Sequence, residues 1–158
     1  MKARQERGAA PAARERLAAA LAGEWVGEER LAASQWAAAG AAQGAWRIAP
    51  VANGAALALD YRETRDGAEA LAAHGVLAVD ADGELIRMWW FDSFGFPPLQ
   101  PAVGRFDGAA LTLERSSPRG VNRTTLTRAG DRLTQRVELR APAADGFATL
   151  VEGEYRRV

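Results

Sequence analysis

The sequence contains no cysteine and only one histidine, His74. The lack of cysteine excludes disulfides, thiol catalysis and thiolate metal sites, and it is typical of a reducing compartment. Twenty basic residues balance twenty acidic ones, so the chain lacks the basic excess that nucleic-acid and membrane-surface binding require. No segment approaches the roughly 18 apolar residues of a membrane-spanning helix. We therefore expect a cytoplasmic protein with no nucleic-acid partner and no membrane partner.

The length of 158 residues predicts one domain. Residues 1–11 are expected to be disordered, and residues 12–158 to form the folded domain. Residues 12–22 favour a short helix, with Leu17 and Leu21 on one face, and Gly23 ends it. Residues 31–43 are compatible with a loop or with a short helix.

After Gly23 the apolar residues recur with the period of two that is typical of strands. Asn53-Gly54 predicts a tight hairpin in which Trp46 faces Tyr61. Further hairpins are predicted around Asp82-Gly83, Asp107-Gly108 and Ala129-Gly130, which gives about ten sequential strands. An antiparallel meander of that length has two exposed edges unless it closes. We therefore predict an all-β, up-and-down antiparallel barrel of eight to ten strands with a short N-terminal helix.

Residues 88–93 read MWWFDS and place two tryptophans side by side. Because side chains alternate across a strand, Trp89 and Trp90 must lie on opposite faces. A turn at Asp82-Gly83 predicts that Trp90 enters the lumen opposite His74. Trp89 and Phe91 would then lie outside, under the helix, a loop or a partner chain.

Several short motifs resemble calycin-type barrels, the class of lipocalins, fatty-acid-binding proteins and nitrobindins. The first strand carries G-x-W-x-G at Gly23–Gly27, and W-F-D-S at Trp90–Ser93 and G-x-F-D-G-x-x-L-T at Gly104–Thr112 follow. The order of these motifs is similar to that of the uncharacterised bacterial DUF1579 group. The resemblance implies a barrel with an interior cavity and no settled activity.

The resemblance also bears on ligands. Nitrobindins bind haem through a histidine near the C-terminus, and the last strand here has none. Fatty-acid-binding proteins end on an R-x-Y pair that holds the ligand carboxylate. Tyr155 matches the tyrosine of that pair, but Gly153 takes the place of the arginine. The usual anion anchor is therefore missing from the last strand.

The predicted pairings define a set of candidate ligand-binding residues that face the lumen. Trp25 is expected to be structural, and Asn122 to be a further inward polar residue. The candidates are Trp46, Tyr61, His74, Met88, Trp90, Asp92, Arg115, Gln135 and Tyr155. Arg115 could pair with a ligand anion or lie in solvent at the strand end.

Three functions stay open at this point. The leading hypothesis is a barrel that binds a small apolar or amphiphilic molecule, without metal or cofactor. The second is an enzyme that uses the same cavity, with His74 or Asp92 as the general base. The third is an interaction module without a ligand, which could form a homodimer through Trp89 and Phe91. His74 could equally be a hydrogen-bonded wall residue, and no nucleophile or phosphate-binding motif is present.

Overall fold

The structure, a computed structural model, describes residues 2–35 and 37–158, with side chains from Ala9 onward. Helix α1 (Lys2–Leu21) precedes ten antiparallel strands in one closed barrel, as predicted. Each strand pairs with its chain neighbours, and the last pairs with the first. The strands are β1 (Gly23–Leu31), β2 (Gly40–Val51), β3 (Ala56–Arg65), β4 (Ala68–Val79), β5 (Ile86–Asp92), β6 (Ala102–Phe106), β7 (Ala110–Ser117), β8 (Gly120–Ala129), β9 (Arg132–Arg140) and β10 (Ala148–Arg157).

Closure of the barrel depends on a glycine at the seam between β1 and β10. Gly27 pairs with Tyr155 across this seam. A Cβ atom at Gly27 would lie 1.8 Å from the carbonyl oxygen of Glu154. The second glycine of the G-x-W-x-G motif therefore allows the two backbones to approach closely.

Helix α1 closes one end of the barrel. Leu17 and Leu21 are buried on its inner side and belong to the main apolar cluster. The indole N–H of Trp25 donates to the carbonyl oxygen of Leu21 at 3.0 Å, and the guanidinium of Arg128 lies 4.8 Å from the Trp25 ring. Trp25 thus joins the helix to the barrel wall, which is the structural role predicted for it. The opposite end, where β1 ends and β2 begins, is called the mouth below.

The helix is longer than the sequence suggested, because it extends through Pro11 as far as Lys2. The structure has helix at residues 2–11, where disorder was expected, and Met1 lies outside the described residues. The added part has a partner in the turn between β4 and β5: a Cβ at Gly83 would lie 2.8 Å from the Ala9 carbonyl. Such long-range packing cannot be read from local composition. Between β1 and β2, residues 32–35 and 37–39 form no helix.

Most strand registers keep the predicted faces. Trp46 pairs with Tyr61 as predicted. The turns at Asp107-Gly108 and Ala129-Gly130 predicted Leu111 opposite Gly104 and Leu133 opposite Leu126. The observed partners are Leu113 and Gln135, each two residues further along the chain. A shift of two keeps every side chain on its face.

The hairpin of β4 and β5 is the exception, and here the predicted register is wrong. Trp90 pairs with Gly75, not with His74. The connecting turn is longer than expected, with the Asp80 N–H donating to the Leu85 carbonyl at 2.8 Å. This shifts the pairing by one residue, which sends every side chain of β4 to the other face.

Among the described residues, no helix has both the length and the apolar character needed to cross a bilayer.

Candidate functional site

Four aromatic side chains meet in the middle of the lumen. Trp46 lies at their centre, with ring centroids 4.5 Å from Tyr61, 6.0 Å from Trp90 and 6.4 Å from Tyr155. Tyr61 and Trp90 also lie 6.3 Å apart. These tilted and edge-on arrangements are the favoured geometries of aromatic pairs. The structure thus brings together four of the residues predicted to face the lumen.

Glycines on the inner face make room for these rings. A Cβ at Gly44 would lie 2.8 Å from Cε1 of Tyr155 and 2.1 Å from Oε1 of Glu29. A Cβ at Gly153 would lie 2.2 Å from the Tyr155 hydroxyl. The side chain of Tyr155 therefore occupies the space that an arginine side chain at position 153 would need.

A buried carboxyl cluster lies beside the aromatic rings. Glu29 is 1% exposed and Glu63 5% exposed. The Tyr61 hydroxyl donates to Glu29, with 2.8 Å to each carboxylate oxygen, and lies 3.3 Å from Oε2 of Glu63. The Tyr155 hydroxyl also contacts Oε1 of Glu29. The two tyrosines therefore satisfy a carboxyl group that would be costly to bury alone.

Two further side chains complete the cluster. The Tyr155 hydroxyl lies 2.8 Å from the side-chain amide oxygen of Gln135. Nε of Arg65 lies 2.6 Å from Oε1 of Glu63. The cluster thus has two carboxyl groups and one cation, so it is acidic unless a proton is bound.

The environment favours that proton on Glu29. Burial raises the pKa of the Glu29 carboxyl above its ordinary value, and the neighbouring Glu63 raises it further. Hydrogen bonds from Tyr155 and Tyr61 and the charge of Arg65 act in the opposite direction. Burial also raises the pKa of both Tyr61 and Tyr155, so their hydroxyls keep their protons and remain donors.

The indole N–H of Trp46 has no partner of hydrogen-bond geometry, although the nitrogen is buried. Trp46 nonetheless lowers the pKa of the Tyr155 hydroxyl, against the larger effect of burial. Trp46 therefore adds a third donor group on the side of the cluster that faces the aromatic rings.

The inward candidates of β5 and β7 remain half-buried. Met88 and Trp90 pack against the apolar cluster from β5. Oδ1 of Asp92 accepts the N–H of Phe94 at 3.1 Å, where β5 ends. Arg115 follows the buried Leu113 on the inner face of β7. Because these side chains face inward and keep partial exposure, solvent reaches the inner wall of the mouth half.

His74 does not belong to the site, which corrects the sequence prediction. It lies on the outer face of β4, and its Nδ1 is 2.7 Å from Oδ1 of Asp60. Both side chains are more than half exposed. A role of His74 as a ligand contact or as a base inside the cavity is therefore wrong.

Glu29 and Glu63 were missed by the sequence reasoning, although a signal was present. Trp25 faces inward on β1, and so does every second residue after it, which includes Glu29. Tyr61 on β3 implies Glu63 in the same way. Residues Glu28–Arg30 are all charged, so the sequence pattern does not distinguish the inward residue from the outward ones.

The cluster can donate hydrogen bonds, accept them and hold a proton. Among residues 9–35 and 37–158, whose side chains the structure describes, no group of three or more histidine, aspartate or glutamate side chains is arranged to hold a metal ion.

No family model matches the chain, and neither does any curated protein sequence. Solved structures do match. The crystal structure of Rv2717c from M. tuberculosis has a TM-score of 0.73 at 16% identity, over 92% of this chain and 97% of that one. The S-type phycobiliprotein lyase CPES from Guillardia theta has a TM-score of 0.66 at 9% identity, over 91% of this chain and 92% of that one. At these identities the likeness shows the fold alone.

Proposed function

We propose that the protein binds a small apolar or amphiphilic molecule in the aromatic lumen. The observation that carries this proposal is Trp90, which faces inward and contacts the ring of Trp46 yet remains half-buried. A large apolar side chain that lines a solvent-accessible interior is costly to leave uncovered. A ligand lying on Trp90 and Met88 would remove that cost.

Paired tryptophan variants test the proposal. Trp90→Ala should weaken binding of N-phenyl-1-naphthylamine, a neutral apolar fluorophore, by about tenfold. Trp89→Ala is the matched control, because Trp89 lies on the outer face of the same strand and is 39% exposed. Equal losses in the two variants, or no binding by the unaltered protein, would sink the proposal. Native mass spectrometry of the purified protein can identify a ligand that co-purifies.

A catalytic use of the cavity remains a second candidate, and Glu29 favours it. A buried carboxyl with a raised pKa is suited to general acid–base chemistry. The barrel fold also occurs in a protein named as a lyase. Turnover that is lost in Glu29→Gln, with ligand binding retained, would support this candidate over simple binding.

The outer face of β5 favours self-association as an additional property. Phe91 is 50% exposed there, beside Trp89. We propose that a homodimer covers this apolar pair. Sedimentation should then give a dimer that dissociates in Phe91→Ser, whereas a monomer at high concentration would contradict the proposal.

The order of the sequence motifs supports membership of the DUF1579 group, which we propose on that basis. The cytoplasmic location stays a prediction from composition.

A further inference from the structure

Arg115 is a cation that faces the lumen without a partner. It lies on β7 in the same inward row as the buried Leu111 and Leu113, one step nearer the mouth. Among the residues that the structure describes, none forms an ion pair, a hydrogen bond or a ring contact with its guanidinium. Outward-facing arginines differ: Nε of Arg123, for example, lies 2.9 Å from Oε2 of Glu138.

The surroundings of Arg115 combine polar and apolar groups. Asn122 on β8 lies directly opposite Arg115, and Thr124 lies one inward step deeper, opposite Leu113. On the other side, Ala102 of β6 pairs with Met88. An anion at Arg115 would thus meet an amide and a hydroxyl on one side and apolar surface on the other.

The far wall of the lumen has the opposite electrostatic character. Glu29 and Glu63 lie there with the single cation Arg65. An arginine on β10 cannot supply a cation at Gly153, because the Tyr155 hydroxyl fills that space. An anionic group is therefore disfavoured beside Tyr155 and favoured beside Arg115.

We propose that Arg115 binds a single anionic group of an amphiphilic ligand, such as a carboxylate, a sulfonate or a phosphate monoester. The apolar part of the ligand lies against Met88 and Trp90. Guanidinium groups suit this task because they stay charged and pair with planar or tetrahedral oxyanions. The inference rests on the proposed binding function and adds the charge and orientation of the ligand.

Two fluorophores with the same aromatic body separate the charge contribution from the apolar one. 1-Anilinonaphthalene-8-sulfonate carries a sulfonate, and N-phenyl-1-naphthylamine does not. In fluorescence titrations, Arg115→Gln should weaken binding of the sulfonate probe by about tenfold or more. Binding of the neutral probe should change by no more than about twofold.

Arg105→Gln is the matched control, because it removes the same charge from the outer face of β6, where Arg105 is 66% exposed. It should leave both probes unaffected. Arg115→Lys retains the charge and should keep part of the affinity, and thermal melting checks that each variant is folded.

The outcomes separate this inference from the proposed function. If Trp90→Ala weakens both probes and Arg115→Gln weakens neither, the lumen binds ligand but Arg115 does not hold the anion. If neither probe binds the unaltered protein, both proposals fail together. An equal effect of Arg105→Gln on the sulfonate probe would reduce the result to general charge attraction and would overturn the inference.

Discussion

The Tyr61 hydroxyl lies 2.8 Å from both carboxylate oxygens of Glu29, inside the barrel. A buried glutamate is thereby held by a phenol whose proton is firmly bound. The two residues come from β3 and β1, which are not adjacent in the sheet. The contact therefore passes over the lumen side of β2 and links β1 with β3, the two strands that flank β2.

The raised pKa of Glu29 predicts a dependence of stability on pH. Because the folded state binds this proton more tightly than the unfolded state does, the stabilisation is complete below the ordinary value of 4.5. It is lost as the pH rises through the higher folded pKa. The melting temperature of Glu29→Gln should therefore rise relative to that of the unaltered protein as the pH increases. Glu28→Gln changes the exposed neighbour and is the control: its melting temperature should follow that of the unaltered protein at every pH. The prediction would be contradicted if Glu29→Gln followed the unaltered protein in the same way.

Removal of the Tyr155 hydroxyl should destabilise the fold. Tyr155→Phe removes one hydrogen-bond partner from the buried Glu29 and one from the half-buried Gln135. The expected loss in the free energy of unfolding is about 1–3 kcal/mol. Urea denaturation measures it, and a loss close to zero would mean that water replaces the hydroxyl.

A methyl group at Gly44 should disturb the cluster sterically. Its Cβ would lie 2.1 Å from Oε1 of Glu29, so Gly44→Ala should cost about 1–3 kcal/mol of stability. Gly40→Ala on the same strand is the control, because no atom lies within 4 Å of a Cβ there. Similar melting temperatures for the two variants would indicate that the inner face has spare room.

The outward position of His74 predicts that it contributes nothing to binding in the lumen. His74→Gln breaks only the exposed contact with Asp60. Affinity for N-phenyl-1-naphthylamine should stay within about twofold of the unaltered protein. A larger loss would mean that this face takes part in binding.

The sequence was sufficient for the barrel and for much of its inner wall. Turn residues and alternation predicted the closed antiparallel architecture. Alternation put Trp89 and Trp90 on opposite faces, and the turn at Asp82-Gly83 was the reason to place Trp90 inside. The pairing of His74 failed because a single extra residue in the turn after Asp80 inverts β4. Such a turn is shaped by packing against α1, since Ala9 contacts Gly83, and local sequence does not carry that information.

The polar cluster was only half predictable. Tyr61, Gln135 and Tyr155 were expected inside, and the structure brings them together. Their partner Glu29 was missed because buried glutamates are rare, although alternation from Trp25 places it on the inner face of β1. Burial of Glu29 is stabilised by hydrogen bonds from two tyrosines that are distant in sequence, so local sequence does not predict it.

The seam between β1 and β10 has a consequence for the order of folding. Every other strand pair joins consecutive strands through a short connection, so those hairpins can form locally and early. Glu29 and Tyr155 are 126 positions apart, and bringing them together closes almost the whole chain into a ring. Long-range closure of this kind carries the largest entropic barrier and is slow. The hydrogen bond between Tyr155 and Glu29 thus forms only as the ring closes. Tyr61 reaches Glu29 through the first two hairpins alone, so the interior acquires one phenol partner of Glu29 before closure and the other at closure.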